Sequence, residues 1–192
     1  LISLKKAISE FVSDGDTVYA AGFTHLIPFA AGHEIIRQGK KNLTLARATP
    51  DLIYDQMVAA GCAKKVIFSY MGNPGVGSLR IVRSAIEKGK LEWEEYSHFG
   101  MITRLQAGAS GLPFLPMNQT GAESLEHANP LIKRIPDPYA ERAGSCCGAD
   151  DGADAPGGTF TTRPYDRNLN APTGRGVLRL AAGAGPDVGH LD

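Results

Sequence analysis

The sequence predicts an α/β fold: an open, mainly parallel sheet with helices on both faces over residues 1–140, followed by a disordered or irregular tail over 141–192. Three observations predict it. Short β-rich runs alternate with stretches of helical periodicity, an order that implies right-handed crossovers. The β-rich runs are apolar enough to need cover on both faces. Composition also changes near residue 140: every isoleucine and every lysine lies before it, whereas 141–192 holds 10 of the 23 glycines and 4 of the 12 prolines. So few large apolar side chains cannot offset the entropy of ordering that segment.

The elements follow in chain order. LISLKKAISEF at 1–11 reads as an amphipathic helix; Ser9 and Glu10 interrupt the apolar core that a secretory signal needs. Strands are expected at 17–23 (TVYAAGF), 43–49 (LTLARAT), 65–71 (KVIFSYM) and 91–97 (LEWEEYS). Helices are expected between them. One spans 29–38, opening after Pro28 and stopping at Gly39; another spans 51–60, opening after Thr49-Pro50 and stopping at Gly61. A third, 78–88, places Leu79, Val82 and Ile86 on one stripe, and a fourth, 100–109, aligns Met101, Leu105 and Ala109. The PFLP run at 113–116 is a candidate for a further strand.

Composition excludes several classes. Twenty basic residues balance twenty acidic ones, so no polybasic surface for nucleic acid is expected. No apolar run approaches the roughly 18–20 residues needed to cross a bilayer. Three cysteines, Cys62, Cys146 and Cys147, form neither a disulfide framework nor a metal-ligand pattern, and reduced thiols in a soluble, cytoplasmic protein are expected.

In open α/β sheets, ligands bind beyond the carboxyl ends of the strands, which directs attention to the loops at 22–28, 48–51, 72–78 and 97–100. The GNPGVGS run at 72–78 reads either as a tight strand-to-helix turn or as an anion or substrate loop; it lacks the lysine of a P-loop and the G-x-G-x-x-G of a dinucleotide site. His25 and His98 each follow a predicted strand and are candidates for donating to a thioester or carboxylate oxygen. His33, His127 and His190 show no metal-ligand spacing, and no metal is expected. Glu92, Glu94 and Glu95 read as a solvated face, and Cys146-Cys147 as inert thiols.

One stretch narrows the reading. Asp14-Gly15-Asp16-Thr17-Val18-Tyr19-Ala20-Ala21-Gly22-Phe23-Thr24-His25-Leu26-Ile27-Pro28 resembles the first signature of the A (alpha) subunits of family I coenzyme A transferases, nearest to the glutaconate type. The resemblance continues through residues 43–45, Thr49-Pro50-Asp51, the glycine-rich loop, Ser97-His98 and AGASGLPFLP at 107–116, covering residues 1–139. Ala21 stands where the family has the first glycine of a G-G pair, which bears on acyl specificity.

The resemblance implies an enzyme subunit that moves CoA from an acyl-CoA to a carboxylic acid. The reaction would pass through a glutamyl-CoA thioester on a partner B subunit, with CoA thioesters as substrates and no permanently bound cofactor. The nucleophilic glutamate of such enzymes lies in an S-E-N-G motif, absent here, so no catalytic residue is assigned and the isolated chain is expected to be inactive. The implied substrate-binding residues are Gly22, Phe23, Thr24 and His25, with Asn73, Gly75, Ser97 and His98. Gly22 would let backbone amides approach the acyl group, and the helix after Pro28 would aim its first amides at the crevice. After Tyr139 the resemblance stops, where the family's A subunits continue; a truncated domain whose last residues are read out of frame is expected. A subunit of a CoA-ester hydrolase and a noncatalytic or degenerate α/β module are the competing readings.

Overall fold

The structure, a computed structural model, describes residues 1–22, 26–73, 75–117, 123–136 and 158–162. It divides into two compact units, one holding Leu1–Glu94 and the other beginning at Glu95. In the first unit, α1 (Leu4–Phe11) starts at Ser3, whose hydroxyl accepts from the Lys6 amide, and buries Ile8. The DGD run then turns the chain into β1 (Thr17–Tyr19). There Asp14 accepts from the Lys41 amide at 2.8 Å, and the Gly15 amide donates to the Lys41 carbonyl at 3.0 Å. Gly15 has φ +85°, a conformation that favours glycine.

The expected alternation follows, with α2 (Phe29–Arg37), β2 (Leu43–Ala46), α3 (Leu52–Ala59) and β3 (Ala63–Phe68). The glycine-rich run then forms a two-stranded antiparallel hairpin, β4 (Gly72–Asn73) and β5 (Gly77–Ser78), before the chain enters α4 (Arg80–Glu87) and β6 (Glu92–Glu95). The strands of the main sheet lie in the order β1-β2-β3-β6, and β1 with β2 and β2 with β3 are parallel. Neighbouring helices α1 to α4 pack side by side along one face, as sequential strand order with right-handed crossovers requires. Leu43, Leu45, Val18, Val66 and Phe68 meet Ile35, Ile53, Met57, Leu79 and Val82 in one core. Thr44, Ala46 and Ile67, which alternate with the core-facing residues, are buried too.

Two contacts fix the helices at the carboxyl end of the sheet. At Gly32 of α2 an added Cβ would lie 2.2 Å from Ile53 Cγ1, so glycine there permits the close approach of α2 and α3. The Tyr54 hydroxyl of α3 donates to the Ala46 carbonyl at 2.9 Å, with the Ala20 carbonyl at 3.4 Å, tying the helix to the ends of two strands.

In the second unit, α5 (His98–Ala109) packs against β7 (Leu115–Met117), and α6 (Glu123–Ala128) leads to β8 (Ile132–Pro136). The guanidinium of Arg104 lies over the Tyr96 ring, 4.7 Å from its centre. The strand expected from PFLP is β7. A further strand, β9 (Gly158–Thr162), pairs antiparallel with both β7 and β8. It lies inside the segment whose composition predicts no structure, and its own GTFTT sequence is locally rich in β-branched and aromatic residues. The rest of 141–192, with Cys146 and Cys147, lies outside the described residues. Among the described residues no helix is long and apolar enough to cross a membrane.

The packing of α2 on α3 is open to direct test. Gly32→Ala gains about 1 kcal/mol of helix propensity but overpacks Ile53 by about 1–3 kcal/mol. A lower urea midpoint is therefore expected, and an unchanged or higher one contradicts the packing.

Stability also depends on pH through the core. Burial pushes the pKa of the Tyr54 hydroxyl well above its ordinary value, against the opposing charge of Arg47, and burial also raises that of Cys62. Both groups hold their protons to higher pH folded than unfolded. Their contribution is thus complete below the unfolded values, about 8.5 for cysteine and 10 for tyrosine, and is lost as pH rises beyond them. Urea midpoints measured from neutral to strongly alkaline pH should fall, and those of Tyr54→Phe should fall less steeply near and above pH ~10. Parallel slopes for the two proteins would contradict the assignment.

Candidate functional site

The carboxyl ends of β1, β2 and β3 lie in the first unit, where Arg47 and Asp51 are buried. The residues after β1 turn so tightly that a Cβ on Gly22 would sit 2.0 Å from the Leu26 carbonyl oxygen and 2.6 Å from its carbon. Both are backbone atoms, so no side chain is tolerated at position 22. Phe23, Thr24 and His25, expected to line the site, lie outside the described residues. Leu26 is 55% exposed, Ile27 is buried, and α2 begins at Pro28 without a side-chain cap.

Arg47, directly after β2, is 5% exposed. Its backbone amide donates to the Ile67 carbonyl at 3.0 Å, extending the ladder by one residue. Its Nη2 donates to the Gly22 carbonyl, so a buried cation holds the turn after β1. The Ala48 carbonyl beyond it accepts from the Ser69 hydroxyl and from the Ser69 and Tyr70 amides. Arg47 was not among the expected site residues. The available signal was a single arginine at the end of the apolar LTLA run, entering the crevice loop.

Asp51 caps α3, accepting from the Leu52 amide at 2.6 Å through Oδ1 and from Asn73 Nδ2 at 2.9 Å through Oδ2. Asn73, an expected substrate contact, accepts from the Gly75 amide at 2.8 Å through its Oδ1. Its side chain thus links the α3 cap to the hairpin, and Gly75 is exposed at the hairpin tip. The first-turn amides of α4 are taken as well. Asp55 accepts from Ile81 at 3.1 Å and from Val82 at 2.9 Å, so the donors that an anion would use at this helix are already held.

Ser97 and His98 belong to the second unit. Ser97 is the N-cap of α5, its hydroxyl accepting from the Gly100 amide at 3.0 Å, and His98 is the first helical residue, exposed. The expected loop at 97–100 is therefore the start of a helix, moved forward two residues by the serine cap.

Chemically, the carboxyl ends of β1, β2 and β3 present the Arg47 guanidinium, with Nη1 unengaged among the described residues, rather than a free carboxylate. The buried acid there, Asp51, is engaged as above, and the buried Glu34, toward the far end of α2, is held by Arg37 and by Gln38 Nε2 at 2.7 Å.

Comparison with known proteins gives the family and the fold. The family model described as coenzyme A transferase matches residues 1–144. The A chain of 3-oxoadipate CoA-transferase from Pseudomonas knackmussii is 54% identical over 142 residues, covering 72% of this chain and 50% of that protein. The corresponding chain of glutaconate CoA-transferase from Acidaminococcus fermentans is 38% identical over 119 residues, covering 61% of this chain and 37% of that protein. Among solved structures, glutaconate coenzyme A-transferase from Acidaminococcus fermentans matches with a TM-score of 0.70 at 28% identity, covering 85% of this chain and 53% of that one. A variant of the decarboxylase AibA/AibB matches with a TM-score of 0.67 at 25% identity, covering 85% and 58%. The chain spans half or less of the length of the two transferase relatives matched by sequence. The resemblance read from the Gly22 signature is thereby confirmed: the chain belongs to the coenzyme A transferase family.

Proposed function

We propose that this chain is the A-subunit portion of a heteromeric, cytoplasmic CoA transferase whose substrates are dicarboxylic acids and their CoA thioesters. The Gly22 turn carries the reading: the main chain passes so close to Leu26 that position 22 leaves no room for a side chain, in a chain two of whose relatives are A subunits. The substrates in those relatives' names, 3-oxoadipate and glutaconate, each bear two carboxylates. Residues 1–140 carry the function in this reading; within 141–192, Gly158–Thr162 adds a strand to the second unit.

In this reading a glutamate carboxylate supplied by the B subunit, which is the partner chain, attacks the acyl-CoA carbonyl; the C–S bond breaks, and CoA thiolate leaves behind a mixed anhydride. The thiolate then attacks the glutamyl carbonyl, releasing the first acid and forming the glutamyl-CoA thioester. A second acid reverses both steps, and the glutamate is regenerated. Covalent catalysis of this kind divides one difficult transfer into easier ones. This chain's part is to set main-chain donors where negative charge develops on the carbonyl oxygen and to keep them fixed through Arg47. Engagement of Asp51 in the α3 cap and with Asn73 accords with an attacking group brought by the partner.

The expected outcome is that the purified chain transfers no CoA, that adding a B subunit with the S-E-N-G motif yields a new acyl-CoA and a free acid, and that hydroxylamine or borohydride labels the partner's glutamate. Release of free CoA without a new acyl-CoA would point to hydrolysis instead. Activity of this chain alone, or label on this chain, contradicts the proposal.

A further inference from the structure

The Arg47 guanidinium has one electrostatic obligation that the described residues leave unmet. Nη2 is engaged by the Gly22 carbonyl, whereas Nη1 is buried and donates to no acceptor among them. Among the described residues no carboxylate lies within ion-pair distance of it. Asp51, four residues on, has its two oxygens committed to the Leu52 amide and to Asn73. The buried Tyr54 hydroxyl donates to the Ala46 carbonyl and, held neutral by its surroundings, supplies no counter-charge. A cation withdrawn from water with donors unmet is costly, and the loss is recovered when an anion reaches it. The planar fork of a guanidinium matches a carboxylate better than it matches a lone carbonyl.

We propose that Arg47 is a specificity-determining residue whose Nη1 receives the substrate carboxylate remote from the reacting carbonyl. The inference rests on the transfer reading above and extends it to the residue that selects diacids. It places selection and turn geometry on one side chain, because the guanidinium that would bind the second carboxylate also holds the Gly22 carbonyl.

The test uses the chain assembled with its B subunit, arginine-selective isotope labelling and NMR, with adipate and dimethyl adipate as probes. Adipate is expected to shift the Arg47 guanidinium signal saturably, and the uncharged diester to leave it in place. In the same complex, Arg47→Gln should lower the adipate-to-hexanoate ratio of kcat/KM by about ten- to a hundredfold, the range of a hydrogen bond to a charged group, with Arg47→Lys keeping part of the preference. A guanidinium signal indifferent to adipate, or an unaltered ratio in Arg47→Gln, overturns the proposal. So does a signal already shifted when the two chains assemble and insensitive to adipate, which would give the cation to the partner. Should Arg47→Gln fail to fold, the labelled wild type and Arg47→Lys decide. A complex that transfers no CoA while its Arg47 signal still answers adipate would defeat the transfer reading and leave the carboxylate receptor standing.

Discussion

The main chain at Gly22 and Leu26 approaches so closely that the position between β1 and α2 tolerates no side chain, and this constraint organises the crevice. The turn is held from both sides. Ile27 is buried where α2 begins, and Arg47 reaches across from the end of β2 to the Gly22 carbonyl. Shape there is set by backbone sterics and a buried cation rather than by surface side chains. A geometry held this way is preorganised, which is what stabilising a developing negative charge requires.

The polar residues around the turn serve the scaffold. Tyr54 ties α3 to the ends of β1 and β2, Asp51 caps α3 and grips Asn73, Asn73 shapes the hairpin, and Asp55 caps α4. Each satisfies backbone donors or acceptors that sheet and helix termini leave open. Around the turn these groups therefore hold one another in place, and Asp51 is occupied.

Much of this architecture was legible in the sequence. Pro28 and Gly39 bracket α2, Leu79 and Val82 form the buried stripe before and within α4, and the apolar strands lie in parallel. Departures have local causes. The glycine-rich run closes as a hairpin because Asn73 satisfies the Gly75 amide and Gly77 takes φ +89°. Helix α5 starts early because Ser97 caps it. Strand β9 arises from five residues whose local propensity opposes their low-complexity surroundings. Gly22 was reached through the resemblance of the 14–28 run to the family's first signature, and its close approach to Leu26 gives the physical reason a glycine stands there. Arg47 was not reached, since periodicity marks it only as the polar end of a strand; its burial and contact with Gly22 arise from chain segments 25 residues apart.

Replacing Gly22 with alanine in the assembled A–B complex tests the role of this turn most directly. Steric conflict with the Leu26 carbonyl must shift the turn, so kcat should fall by about 10²–10³, the range for loss of a preorganised donor, with helix content and B-subunit binding retained. Unimpaired transfer by this variant would contradict a catalytic role for the turn.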